Sequence, residues 1–196
     1  VPKQKTTPPP FRLLILGGSQ GARGMNRLVL EVFERLNSEE RRQIAVKHIT
    51  GCDDFEEISA AYQNLGLNYE TISFSDAMET LYGAADLAIT RGGANTLGEL
   101  VLFHIPALVI PYPYASNHQM DNAKAFAGRG WADYHAQDAG TVPWLAEKIR
   151  GFLKTQEIEP MRGEETFEEN FCNGASRMAR EASALLKDKE DERESH

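Results

Sequence analysis

The chain has 196 residues, of which 41% are hydrophobic and 26% are charged, a composition that excludes collagen-like, mucin-like and fully disordered proteins. Its formal net charge of −8 argues against a protein that binds nucleic acid by neutralising phosphate groups. No apolar run approaches the ~18 residues that a membrane-spanning helix needs.

From residue 11 onward, short apolar runs alternate with longer amphipathic stretches. Strands that alternate with helices form a parallel sheet covered on both faces, so the predicted fold class is α/β, a Rossmann-like doubly wound sheet. The predicted strands are residues 11–16, 44–49, 69–74, 87–90, 107–110 and 132–134. The predicted helices are residues 22–36, 54–65, 96–103, 118–128 and 142–153, together with a short helix that Ser75 or Asp76 caps and that ends at residue 84.

The two ends of the chain differ in composition from the middle. Residues 1–10 are polar and proline-rich, which is typical of an interdomain linker and suggests that the sequence comes from a longer protein. Residues 154–173 predict an acidic loop, residues 174–187 a helix, and residues 188–196 a frayed tail. Cys52 and Cys172 form no CxxC motif, which favours two reduced thiols in a cytosolic protein.

A glycine-rich loop, Gly17–Gly18–Ser19–Gln20–Gly21–Ala22, follows the first main strand. Such a loop exposes free N–H groups at a helix N-terminus, where phosphate binds. The loop lacks the GxGxxG fingerprint of dinucleotide sites and the lysine of a P-loop. The alternative is a tight turn whose glycines only let strand and helix pack together.

A second polar segment, Arg91–Gly92–Gly93–Ala94–Asn95–Thr96, follows the fourth strand. Gly92 and Gly93 allow a backbone to approach a ligand closely, and Asn95 or Thr96 could cap the next helix. Glu99 has two interpretations. It could form a capping box with Thr96, or it could face the cleft from the first helical turn and bind the vicinal hydroxyls of a ribose.

A third segment after the fifth strand places His118 and Gln119 at the start of a helix. A lone histidine is more often structural or solvated, but a His–Gln pair suits sugar hydroxyls. Glycines for phosphate, a glutamate for ribose and this pair together predict a nucleotide-sugar site. The sequence shows no paired carboxylates, metal-spaced cluster or Ser-His-Asp set besides.

The three segments contain GGSxGA at residues 17–22, GAxTxxE at residues 93–99 and HQxxNA at residues 118–123, with Phe74 and Met78 between the first two. In this order they resemble the MurG family, bacterial UDP-GlcNAc:lipid I N-acetylglucosaminyltransferases of peptidoglycan synthesis. The resemblance covers residues 11–153, and residues 174–187 resemble the family's final helix. It includes only the C-terminal, donor-binding half of that GT-B enzyme.

The resemblance implies a role for each matching position. The donor UDP-GlcNAc would meet the loop around Ser19 through its diphosphate, the backbone around Ser75 through its uracil, and Glu99 through its ribose. The GlcNAc would lie near the third segment. The substrate-binding residues so implied are Gly18, Ser19, Gln20, Gly21, Phe74, Ser75, Gly93, Ala94, Asn95, Thr96, Glu99, His118 and Gln119.

The resemblance also implies a reaction, in which the C4 hydroxyl of lipid I attacks with inversion, UDP leaves and lipid II forms. It implies no cofactor, metal or nucleic acid, and a cytoplasmic parent protein that is peripheral on the inner membrane and serves cell-wall biogenesis, cell shape and division. The catalytic base and the acceptor site would lie in the other half, so we expect this chain to bind donor weakly without turnover.

Three alternatives differ in how well the residues support them. A related GT-B enzyme with a glycolipid acceptor and a non-catalytic UDP-sugar-binding module both stay open, because the acceptor half would decide between them. A dehydrogenase is disfavoured, because the dinucleotide glycines and the acidic residue after the second strand are missing. One position departs from the family pattern, which commonly has serine where this chain has Gly92.

Overall fold

The computed structural model of the protein describes residues 5–6, 10–17, 22–114, 118–155 and 157–158. The predicted loop residues Gly18, Ser19, Gln20 and Gly21 lie outside this part of the chain, as do the predicted C-terminal helix and tail. Within the described ranges, no helix is long and apolar enough to cross a membrane.

The strands of the described chain are β1 (Lys5–Thr6), β2 (Phe11–Leu16), β3 (Ile44–Ile49), β4 (Asn68–Ile72), β5 (Leu87–Thr90), β6 (Ala107–Val109), β7 (Ala132–Tyr134) and β8 (Glu157–Ile158). The helices are α1 (Ala22–Arg35), α2 (Ser38–Arg42), α3 (Phe55–Asn64), α4 (Met78–Gly83), α5 (Ala94–Leu102), α6 (His118–Ala127) and α7 (Thr141–Thr155). Strands β2 to β7 form a parallel sheet in the order β4-β3-β2-β5-β6-β7. This confirms the predicted doubly wound α/β fold.

Alternate residues of each central strand face opposite sides of the sheet and build two cores. Leu13 and Ile15 of β2 pack with apolar residues of α1, α3 and α7. Leu14 and Leu16 pack on the other side with residues of α4, α5 and α6. Because both faces are buried, residues 13–16 of β2, together with β5 and β6, are almost wholly apolar, which is why they could be recognised from the sequence.

Three elements, α2, β1 and β8, were not predicted. Helix α2 was not predicted, although Asn37 and Glu40 form a capping box that begins it. Lys5–Thr6, within the predicted linker, pairs antiparallel with Glu157–Ile158, within the predicted acidic loop. This pairing satisfies backbone groups of both segments.

The carboxylate of Asp86 joins the N-terminal ends of β2 and β5. It accepts hydrogen bonds from the Arg12 backbone N–H at 3.0 Å, from Arg12 Nε at 2.9 Å and from Arg12 Nη2 at 2.5 Å. The Asp86 side chain is fully buried, whereas 45% of the Arg12 side chain is exposed. The hydrogen bonds to Asp86 raise the pKa of Arg12.

We expect Asp86→Ala to lower the free energy of unfolding by about 2–3 kcal/mol, because it removes a buried, charge-assisted network. The matched control is Glu70→Ala, since Glu70 and its partner Lys47 are about half exposed, and such a pair contributes less than about 1 kcal/mol. Denaturant unfolding of both variants measures the difference. Equal losses would contradict the assignment of Asp86 as a stabilising link.

Candidate functional site

The register of the sheet brings the three predicted segments to one edge. At the carboxyl ends of the strands, Leu16 of β2 pairs with Thr90 of β5, and Thr90 pairs with Val109 of β6. The chain order reverses between β2 and β5, which is where open α/β sheets bind ligands. The loops that follow β2, β5 and β6 therefore start side by side at this position.

Two side chains of helix α6 form hydrogen bonds to the backbone of Gly92, which lies in the loop after β5. The N–H groups of Gly92 and Tyr112 donate to Gln119 Oε1 at 3.3 and 2.9 Å. Asn122 Nδ2 donates to the Gly92 carbonyl oxygen at 2.9 Å. Gln119 and Asn122 are three residues apart and so share a helix face. We call this set of contacts the Gly92 clamp; it fixes the loops after β5 and β6 to α6.

The clamp requires that residue 92 have no side chain. A Cβ atom at Gly92 would lie 2.2 Å from the backbone oxygen of Gln119, whereas a Cβ atom at Gly93 would meet only Thr96 Oγ1, at 3.9 Å. Gly92 is thus needed for the close approach of α6. A serine at this position would collide with α6 in this structure.

Helix α5 begins two residues earlier than predicted, and this changes the interpretation of its first residues. Its N-cap is Gly93, with extended backbone and no side-chain capping bond. The expectation that Asn95 or Thr96 caps the helix is therefore wrong, and Glu99 forms no capping box with Thr96. Leu97 N–H is the first to bond within the helix, to Gly93 O. The N–H groups before it form a positive helix end without an intrahelical partner.

Glu99 is the sixth residue of α5 and lies in its second turn, not in the first turn as predicted. Its side chain is exposed. Tyr82, at the end of α4, is buried and donates its hydroxyl to Glu99 Oε2 at 2.6 Å. Burial, and secondly this hydrogen bond, raise the pKa of Tyr82 above its ordinary value, so the hydroxyl stays a neutral donor.

Of the other predicted site residues, some lie at the same edge of the sheet and one forms a hydrogen bond to a neighbour in sequence. Phe74 follows β4 and is 76% exposed. Ser75 Oγ accepts a hydrogen bond from the Ala77 N–H at 3.2 Å. Helix α4 begins at Met78 and its N-cap is Ala77. The prediction that Ser75 or Asp76 caps this helix is therefore wrong. The local Ser75 turn replaces a cap. His118 is exposed at the start of α6.

Sequence reasoning assigned no role to Arg91, which is only 4% exposed directly after β5. Its Nη1 donates to Ile110 O at 3.1 Å and to Gln137 Oε1 at 2.6 Å, and its guanidinium lies 5.4 Å from the centre of the Tyr112 ring. Its Nε and Nη2 atoms have no partner among the described residues. Burial lowers the pKa of Arg91. An arginine directly after a buried strand was the available signal.

The unpaired side of Arg91 faces the first turn of α1. A Cβ atom at Gly24 would lie 3.4 Å from Arg91 Nη2. In the part of the chain that the structure describes, the site thus combines two helix N-termini, a buried guanidinium with two donors that lack a partner there, and an exposed carboxylate. The described ranges hold no group of three or more His, Cys, Asp and Glu residues that could share a metal ion.

Comparisons with known proteins agree with this architecture. Residues 12–178 match the model of the glycosyltransferase family 28 C-terminal domain. The chain is 41% identical over 142 residues to the UDP-N-acetylglucosamine–N-acetylmuramyl-(pentapeptide) pyrophosphoryl-undecaprenol N-acetylglucosamine transferase of Methylococcus capsulatus, covering 72% of this chain and 39% of that protein. The protein of the same description from Desulfotalea psychrophila is 37% identical over 146 residues, covering 74% of this chain and 40% of that protein.

Among solved structures, the crystal structure of Acinetobacter baumannii MurG is similar to this chain with a TM-score of 0.64 and 30% identity, covering 73% of this chain and 40% of that chain. A Staphylococcus aureus MnaA–UDP structure has a TM-score of 0.52 at 13% identity and supports the fold alone. The chain spans about two fifths of the length of the curated relatives named here.

Because of the Gly92 clamp, we expect serine to change the free energy of unfolding differently at two adjacent glycines. We expect Gly92→Ser to lower the free energy of unfolding by about 1–3 kcal/mol, because its Cβ atom displaces the backbone of α6. Gly93→Ser is expected to be neutral or slightly stabilising, because serine is a favoured N-cap residue. Denaturant unfolding measures both. Equal tolerance of serine at the two positions would contradict the close approach.

Proposed function

This chain belongs to the glycosyltransferase family 28 C-terminal domain family, and from that premise we propose that it binds UDP-N-acetylglucosamine as the donor half of an N-acetylglucosaminyltransferase. The observation that carries the proposal is that α5 offers two complementary groups at the switch point of the sheet. Its N-terminus is free of a side-chain cap, and Glu99 is exposed one and a half turns further along. The resemblance based on the three sequence motifs also agrees with the family match.

The spacing of these two groups suits a nucleotide. Glu99 lies five positions after Ala94, which corresponds to about 7.5 Å along a helix. That length is comparable with the separation between a nucleotide's phosphate and its ribose hydroxyls. A phosphate would accept hydrogen bonds from the N–H groups of the first turn. The carboxylate of Glu99 would accept hydrogen bonds from two vicinal hydroxyls.

The donor's other parts have candidate partners at the same edge. Phe74 presents a large exposed aromatic surface after β4, and we assign it and the adjacent Ser75 backbone to the uracil. In the Gly92 clamp, Gln119 uses its carbonyl oxygen to hold two backbone N–H groups. This leaves the Gln119 amide N–H groups as donors for sugar hydroxyls. His118 is assigned to the sugar beside it.

Charge at the site favours departure of a nucleoside diphosphate. When the bond to the sugar breaks, negative charge develops on the leaving diphosphate. The N-termini of α1 and α5 stabilise negative charge, and Arg91 contributes a full positive charge next to the first turn of α1. Groups that are already in place when this charge develops lower the barrier without reorganisation.

The complete reaction extends beyond this chain. The named relatives act on N-acetylmuramyl-(pentapeptide) pyrophosphoryl-undecaprenol, so we propose that a hydroxyl of such a lipid-linked acceptor attacks the anomeric carbon with inversion while UDP leaves. The acceptor site, the general base and any membrane contact are assigned to the part of the relatives that this chain does not span. The donor domain alone is therefore expected to bind without turnover.

Calorimetric titration of the 196-residue chain tests the donor site. We expect saturable binding of UDP-N-acetylglucosamine, no binding of NADH, and affinity weakened roughly 10- to 100-fold in Glu99→Ala, because hydrogen bonds to a carboxylate are lost. Glu57→Ala, an exposed glutamate on α3, is the matched control and should bind like the wild type.

Three results would count against this assignment. Unchanged affinity in Glu99→Ala would remove the ribose role, and binding of NADH with equal affinity would remove the nucleotide-sugar role. A preference for UDP-glucose would replace N-acetylglucosamine by glucose as the donor sugar and favour a glycolipid synthase.

A further inference from the structure

The carboxylate of Glu99 is held by a buried donor, although its side chain is exposed. Glutamate has three rotatable side-chain bonds, and an exposed one samples many rotamers. Here Oε2 accepts a 2.6 Å hydrogen bond from the Tyr82 hydroxyl. This short contact to a charged acceptor belongs to the stronger class of hydrogen bonds. It restricts where the Glu99 carboxylate can lie before any ligand arrives.

Tyr82 is itself fixed by the core. Its residue is 3% exposed, and its ring packs in the core beneath α4, α5 and α6. The ring of Phe103 lies 5.3 Å from the Tyr82 ring, at an interplanar angle of 45°. The hydroxyl therefore has a position set by packing, while the carboxylate that it holds faces solvent. A rigid donor attached to a flexible acceptor is the arrangement that pre-organises a binding group.

We propose that Tyr82 is a positioning residue for nucleotide ribose, acting through Glu99 and not by touching the ligand. The inference rests on the proposed function, in which Glu99 binds the two ribose hydroxyls. An ionised carboxylate has about four lone-pair sites. Tyr82 occupies one of them on Oε2, so the remaining sites on both oxygens stay free for the 2′ and 3′ hydroxyls.

This role makes a specific demand on ligand preference. Without the Tyr82 hydroxyl, the Glu99 side chain samples more rotamers in the free protein. It then loses this freedom when a ribose binds to it. That cost applies to ligands whose ribose hydroxyls engage Glu99, and not to a ligand without them. A general structural role for Tyr82 would instead weaken both kinds of ligand to the same extent.

The experiment measures the affinity of UDP and of 2′,3′-dideoxy-UDP for the 196-residue chain by calorimetry. We expect the wild type to prefer UDP and Tyr82→Phe to lower this preference about five- to tenfold, which is the cost of ordering one rotamer-rich side chain on binding. In a Glu99→Ala background, Tyr82→Phe should not change the preference further, because the two residues act as one unit.

Tyr62→Phe is the matched control. Tyr62 is a buried tyrosine whose hydroxyl contacts His48 Nδ1 at 2.7 Å, in the core on the opposite face of the sheet. Loss of the Tyr62 hydroxyl should change the stability of the protein but not its preference for UDP over 2′,3′-dideoxy-UDP. Tyr82→Phe is expected to fold, because the ring is kept and the carboxylate released by the substitution is exposed to water.

The outcomes separate this inference from the function on which it rests. If the wild type binds the two ligands with equal affinity, the proposed ribose role of Glu99 is refuted, and the positioning role of Tyr82 is refuted with it. If the wild type prefers UDP and Tyr82→Phe keeps the full preference, the inference alone is overturned. It is also overturned if Tyr82→Phe weakens both ligands equally, or if Tyr62→Phe lowers the preference as much.

Discussion

The geometry of the site depends on the close approach of α6 to the backbone of Gly92. A methyl group at this position would overlap the Gln119 backbone. Without a side chain there, α6 can use Gln119 and Asn122 to bind both polar backbone groups of Gly92. The same Gln119 oxygen holds the N–H of Tyr112. A single missing Cβ atom thus lets three segments that are distant in sequence act as one rigid surface.

The positive charge of this surface is maintained at a cost in stability. Two donors of the buried Arg91 guanidinium have no partner among the described residues, and a buried donor without a partner loses its bonds to water. Arg91 is nevertheless held in place by Ile110, Gln137 and the Tyr112 ring. Departures from full hydrogen bonding in native proteins concentrate at functional sites. An anionic ligand that accepted these bonds would recover part of that cost on binding.

The central strands β2, β5 and β6 could be predicted from the sequence because burial on both faces leaves nearly continuous apolar runs between polar loops. Helix termini were harder. Thr96 and Glu99 have the spacing of a capping box, yet α5 begins before them at Ala94. Local spacing cannot show where a helix starts when packing and a glycine cap decide it. The roles of Arg91 and Tyr82 depend on contacts with residues 17 to 46 positions away, and single-sequence patterns do not contain those contacts.

The two-residue difference at the start of α5 decides what Glu99 can do. A helix that began at Thr96 would turn Glu99 back toward its own N-terminus and use the carboxylate to satisfy backbone N–H groups. Because the N-cap Gly93 has no side chain, those N–H groups receive no side-chain cap. The Glu99 carboxylate instead accepts a hydrogen bond from the Tyr82 hydroxyl. In the proposed complex, a phosphate accepts hydrogen bonds from the helix end and a pair of hydroxyls donates to the carboxylate. The glycine N-cap thus leaves both halves of the proposed nucleotide-binding surface on one helix.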